Sequence, residues 1–240
     1  MSDAPSLGDF PLFAAVDHAT LQRLSQDAKV EHYEDGAVIF RQGDAVSAVV
    51  LVLRGFVKLI RTSSCGDETL ICIRSDGASL APAPTSGEEV WDVSAESIGP
   101  SVVVRLPAGR FIRLAGASPQ LAAAALEDAK RRIVALTSEI EALKARSADH
   151  RLARFLLSFC LPDQEQCRFR LPYDKRLVAA RLGVTQETLS RAFARLRELG
   201  VRTETRDVLI ESVSRLCAHF DEQTASRLGS DRRSDEENAS

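Results

Sequence analysis

LVAARLGVTQETLSRAFARLRELG, residues 177–200, holds two short helical patterns separated by only Gly183, Val184 and Thr185. In the first, Leu177, Val178 and Leu182 form an apolar face, and Ala179 is small where a second helix can cross closely. Gly183 supplies the positive φ of a sharp turn, and Thr185 is placed to cap the next helix. Leu189, Ala192, Phe193, Leu196 and Leu199 then repeat at helical spacing until Gly200 ends the run. This is the pattern of a helix-turn-helix.

The other face of the second helix carries Gln186, Glu187, Ser190, Arg191, Arg195 and Arg197. Glu187, Ser190 and Arg191 fall at i, i+3 and i+4 near its N-terminus, the part of a recognition helix that reaches base edges in the major groove. Their chemistry suits bases: Arg grips guanine O6 and N7, Glu accepts from cytosine N4, and Ser bonds several bases. Taken alone, the same residues also describe a solvated helix with one Glu–Arg pair. The segment beyond Gly200 favours DNA. Residues 201–213 read as two short strands with a polar tip at 203–207, a wing on which Arg202 and Arg206 can meet phosphates.

After Pro119, Ala122, Leu126, Ala129, Ile133, Leu136, Ile140 and Leu143 alternate at spacings of four and three, an unbroken heptad seam among charged neighbours. So narrow a seam wants one partner helix. A parallel homodimer explains the period and supplies two recognition helices; packing on the chain's own sheet is the competing account. Upstream, residues 10–29 read as a short helical entry. Residues 38–40, 49–53, 57–60, 70–73, 90–93 and 102–106 read as short strands divided by Gly turns, including Arg54-Gly55, which suggests an antiparallel barrel or roll.

The expected class is therefore α+β: an N-terminal tail at 1–9, a β-roll at 10–117, a dimerisation helix at 118–146, a winged helix-turn-helix at 147–221 and a disordered polar tail at 222–240. No apolar run approaches a membrane span and the N-terminus has no signal-peptide pattern, so the expectation is a cytoplasmic protein with no membrane partner. The net charge of −3 is compatible with DNA because residues 148–221 carry a basic surplus. P-loop, HExxH, GxSxG and zinc-deaminase patterns are lacking, which argues against an enzyme. Five scattered cysteines form no CxxC or zinc-type cluster with His18, His32, His150 and His219. Cys65 and Cys72 flank a hairpin turn and are a candidate redox pair.

With roll, long helix and winged helix in this order, the residues resemble the CRP/FNR family of bacterial transcription regulators. The resemblance covers roughly residues 10–215. It rests on YEDG at 33–36, IFRQGD at 39–44, VLRGFVKL at 52–59, GDE at 66–68, RLARFLL at 151–157, Leu171-Pro172 and RLGVTQETLSR at 181–191. Within the family, QETLSR at 186–191 is similar to the FNR and DNR branches, and DVSAE at 92–96, EIEAL at 139–143 and Leu171-Pro172 are most similar to DNR-like regulators. That resemblance implies TTGAT-like half-sites, with Arg191 and Glu187 on the G·C pair and Ser190 on a thymine, and RNA polymerase as a partner.

Departures limit what the family implies. The segment 78–87, ASLAPAPTSG, lacks the Arg that neutralises a cyclic phosphate, so no cAMP is expected. The first cysteine is Cys65, so no N-terminal iron-sulfur cluster is expected. Haem with nitric oxide is the candidate signal, and its axial ligand is open among the four histidines. The candidate effector pocket is the roll face around Val57, Leu70, Cys72, Leu80 and Trp91, set against Lys130 and its helix. A redox-thiol sensor, a ligand-free constitutive regulator and a module acting on another protein without DNA are the alternatives.

Overall fold

The computed structural model describes residues 7–81, 83–84, 89–145, 147–161 and 164–220, those at 138–145 as backbone. Two compact units make up the chain, Met1–Ser138 and Glu139–Ser240. The expected tail beyond residue 221 lies outside the described residues.

The first unit opens on 3-10 turns at Leu7–Asp9 and Pro11–Phe13 and helix α1, His18–Ser25. Asp17 caps α1 by accepting from the Thr20 N–H at 2.9 Å. Leu7, Phe10, Leu12 and Phe13 are buried in one cluster with Leu24, Leu51, Leu106 and Phe111, so the core begins inside the stretch expected as tail.

The sheet contains β1, Lys29–Tyr33; β2, Val38–Phe40; β3, Ala48–Thr62; β4, Glu68–Ser75; and β5, Ser94–Pro107. All described pairings are antiparallel, in the order β1-β5-β3-β4 with β2 also on β5. Two of its strands are much longer than expected. Arg54-Gly55 does not end a strand: it is a bulge inside β3, where the register against β5 shifts on both sides of Arg54. Gly55 has φ 99°, and a Cβ there would stand 2.6 Å from the Ser101 Oγ. Residues 90–93 form no strand beyond the isolated Ala45–Val90 bridge; Trp91 instead stacks on Phe40, ring centroids 3.9 Å apart.

Helix α2, Ala108–Ala117, interrupts the expected run from roll to long helix, and sends Phe111 and Leu114 into the core. Helix α3, Pro119–Ala145, then lays Leu121, Ala124 and Ala125 on the same cluster. Asp128 and Arg132 continue that stripe, and the Arg132 guanidinium donates to the Ser79 carbonyl at 2.7 Å.

The second unit contains α4, Ala148–Leu157; β6, Cys167–Arg170; α5, Lys175–Arg181; α6, Gln186–Glu198; β7, Val201–Glu204; and β8, Asp207–Ile210. A further helix occupies 213–220. The strands are ordered β6-β8-β7, so the strand before the helix-turn-helix pairs with the wing. Leu152, Leu156, Val178, Leu189, Leu196, Ile210 and Leu216 are among its fully buried residues. The architecture is α+β, with an antiparallel N-terminal sheet and a C-terminal winged helix-turn-helix.

Candidate nucleic-acid interface and sensor face

Gly183 turns the chain between α5 and α6 at φ 63°, and the Val184 N–H closes the corner on the Ala179 carbonyl at 3.0 Å. Thr185 caps α6 through its hydroxyl, which accepts from the Thr188 N–H at 3.1 Å. With Leu189, Ala192, Phe193 and Leu196 turned inward, Gln186, Glu187, Ser190, Arg191 and Arg195 are left on the solvent side. Arg191 and Glu187 pair at 2.5 Å, with side chains 69% and 74% exposed. The pair is thus presented to solvent.

Arg195, Arg202 and Arg206 have intramolecular partners that no sequence motif announces. Arg195 donates twice to Asp149 of α4, both at 2.5 Å, and this bonding holds its guanidinium more firmly charged than usual. Arg202 pairs with Glu211 at 2.6 Å. Arg206, expected to meet a phosphate, also has a partner within the chain. Its Nε and a terminal nitrogen both donate to the Leu171 carbonyl, at 3.0 and 2.7 Å, and its own carbonyl accepts from the Leu171 N–H. The wing tip is thereby strapped to the segment entering α5, because the part-buried carbonyl needs a donor. Asp149 carries no sequence signal of this role, since it lies 46 residues from its partner.

On α3, Leu126, Ile133 and Leu136 are 73%, 64% and 48% exposed. Ala129 is half-buried beside them. This stripe stands about 100° round the helix from the one that packs on the sheet. The side chains of Ile140 and Leu143 lie outside the described residues.

Residues 30–118 match the cyclic nucleotide-binding domain, and residues 150–219 match the Crp-like helix-turn-helix domain. A solved protein from Ruegeria pomeroyi DSS-3, described as cyclic-nucleotide-binding, is 31% identical with a TM-score of 0.65, covering 88% of this chain and 93% of that one. Another, from Silicibacter pomeroyi DSS-3 and described as a cAMP-binding regulatory protein, is 32% identical with a TM-score of 0.63, covering 87% and 94%. The transcriptional activator protein FnrA of Stutzerimonas stutzeri is 28% identical over 190 residues, 76% of this chain and 77% of its own.

The chain belongs to the CRP/FNR family. It is a DNA-binding transcription regulator with a cyclic-nucleotide-binding-like N-terminal domain. Among the described residues no helix is long and apolar enough to cross a membrane.

The residues of the expected effector pocket do not all share one face. Val57, Leu80 and Trp91 are buried with Ile39, Phe40, Val50 and Val103, and Cys72 packs against them; Leu70 is half-buried at the edge. Lys130 does not face the roll at all: it is exposed and 3.6 Å from Glu127, because Asp128 and Arg132 occupy the inward stripe. A cleft of about 300 Å³ opens elsewhere, between α1 and α2, lined by Arg23, Gln26, Arg110, Arg113 and Leu114.

Cys65 and Cys72 are also not a pair. Cys65 lies in the turn closed by Ser63 and Asp67, while Cys72 stands opposite Leu59, four residues beyond the Thr62–Glu68 rung. At ~3.3 Å per residue they are too far apart to bridge.

Proposed function

We propose that the protein acts as a homodimer joined along α3 and reads TTGAT-like half-sites, Glu187 and Arg191 addressing the G·C pair and Ser190 a thymine. The observation that carries this reading is the exposed Glu187–Arg191 pair on the solvent side of a capped α6. The uncovered Leu126, Ile133 and Leu136 support the dimer, since a water-exposed apolar stripe with heptad spacing is stabilised by a second copy. Cytoplasmic DNA and RNA polymerase are the partners this reading entails.

Two family ligands find little support among the described residues of the roll. No Lys or Arg occurs between Arg74 and Arg105, so a cyclic phosphate would meet no cation from that segment. For haem, the roll's His18 and His32 are both exposed, and Trp91 is buried among the apolar residues of its cluster. That packing favours a second reading, in which the ligand-free protein binds DNA constitutively.

Retardation of a duplex containing TTGAT-N4-ATCAA, against one with both half-sites scrambled, tests the site. Selective binding by protein purified without added ligand is expected. Equal binding to both duplexes would remove the half-site assignment, and no binding to either would remove the constitutive reading.

A further inference from the structure

Three cysteines that look scattered along the chain converge in the second unit. Cys160 follows the last turn of α4, Cys167 opens β6, and Cys217 lies in the helix 213–220. Cys167 Sγ stands 3.9 Å from the Phe159 carbonyl oxygen, the peptide group that leads directly into Cys160. Cys160 Sγ turns back to within 3.8 Å of the Leu156 carbonyl, one turn earlier. Both sulfurs thus flank the same end of α4. Glu165, just before Cys167, is held from outside, because its carbonyl accepts from the Val213 N–H at 2.8 Å.

We propose that Cys160 and Cys167 are an oxidation site, at which a peroxide converts the two thiols into a disulfide tying the end of α4 to the start of β6. One sulfur attacks the peroxide, the O–O bond breaks, and an alcohol or water leaves, giving a sulfenic acid. The second thiol then displaces its oxygen as water, and the S–S bond forms. Two thiol sulfurs are oxidised by two electrons in all, and one peroxide is reduced. The site involves no DNA contact and stands whether or not the half-site assignment holds.

The surroundings set the kinetics. Burial, and then the neighbouring Cys167 and Cys217, push the Cys160 thiol up to about 12. At neutral pH it is a protonated, slow nucleophile, so mild oxidants leave it reduced. The reduced state also gains no stabilisation from a thiolate, which makes the disulfide persistent once formed. The site therefore responds to strong or prolonged exposure.

The test uses the full chain treated with hydrogen peroxide, then alkylated and digested with trypsin. Residues 155–168 form one tryptic peptide with both cysteines. It should lose two hydrogens and resist alkylation until reduced, while Cys217 remains alkylatable. The Cys160→Ser and Cys167→Ser variants should each leave the other cysteine free of a disulfide, and oxidation should raise the wild-type thermal midpoint by several degrees but not theirs. A peptide 155–168 that keeps two alkylatable thiols, a bridge to Cys217 instead, or a midpoint that falls on oxidation would each overturn the proposal.

Discussion

Arg195 of α6 and Asp149 of α4 meet through two parallel N–H···O bonds of 2.5 Å, so a cation of the recognition helix is held by the scaffold before any DNA arrives. Bidentate geometry fixes the guanidinium's direction, yet both partners remain open to water, so the pair adds little to stability. Its consequence is electrostatic: Asp149 offsets a charge that a phosphate would otherwise attract. Asp149→Asn should tighten binding to every duplex alike and steepen the salt dependence by about one phosphate contact. Fluorescence anisotropy across a salt series measures both quantities. An unchanged slope would mean that Arg195 does not reach the backbone.

Arg191 and Arg206 should fail in different ways when truncated. Arg191 is exposed with Glu187 as its partner, and its loss should cost about 1–3 kcal/mol per half-site while relaxing preference at the guanine. Arg206 instead holds the Leu171 carbonyl, so Arg206→Ala should lower unfolding stability by about 1–2 kcal/mol. Denaturant titration and binding to single-base variants of the half-site separate the two. Loss of base preference in Arg206→Ala, with stability intact, would reverse the assignment.

The features legible in the sequence are local ones. Gly183, the Thr185 cap and the spacing from Leu189 to Leu196 specify a corner and a helix face within a few residues. The seam on α3 is legible for the same reason, since a period needs no knowledge of the partner. Gly55 misleads because a positive-φ glycine marks a bulge as readily as a turn, and only the pairing with β5 distinguishes them. Polar β1, KVEHY, lacks strand alternation and is recruited by its pairing with residues 101–105. Lys130 falls on a different face from the expected one because its helix carries two stripes, and the choice between them depends on where Ser79 lies. Asp149, Leu171 and the cysteines meet their partners through the fold, beyond the reach of any spacing rule.

A pH dependence should arise in the roll at Glu31. Burial alone would raise its pKa, but hydrogen bonds from Tyr33 at 2.6 Å and Arg105 at 2.7 Å prevail and hold the carboxyl below its ordinary value. A depressed folded-state value means that this stabilisation is complete above the unfolded glutamate's pKa and is lost as pH falls through the lowered one. Thermal midpoints should therefore drop on acidification more in wild type than in Glu31→Gln. Parallel curves for the two proteins would show that Glu31 is not linked to folding.

Ile133 offers the sharpest test of assembly, because it is exposed in the single chain and yet lies in the heptad row. Ile133→Glu places no charge inside the chain's own core, which is built from Leu121, Ala124 and Ala125 on the other stripe. The roll should keep its thermal midpoint. In a paired seam, however, the same carboxylate would be desolvated opposite its own copy, so the dimer should dissociate. Binding to a two-half-site duplex should then weaken by far more than binding to a single half-site, since the benefit of linked recognition helices is lost. Sedimentation velocity together with the two duplex affinities decides the matter: an intact dimer of the Ile133→Glu variant would place the interface elsewhere, and a monomer with undiminished two-site affinity would separate dimerisation from DNA recognition.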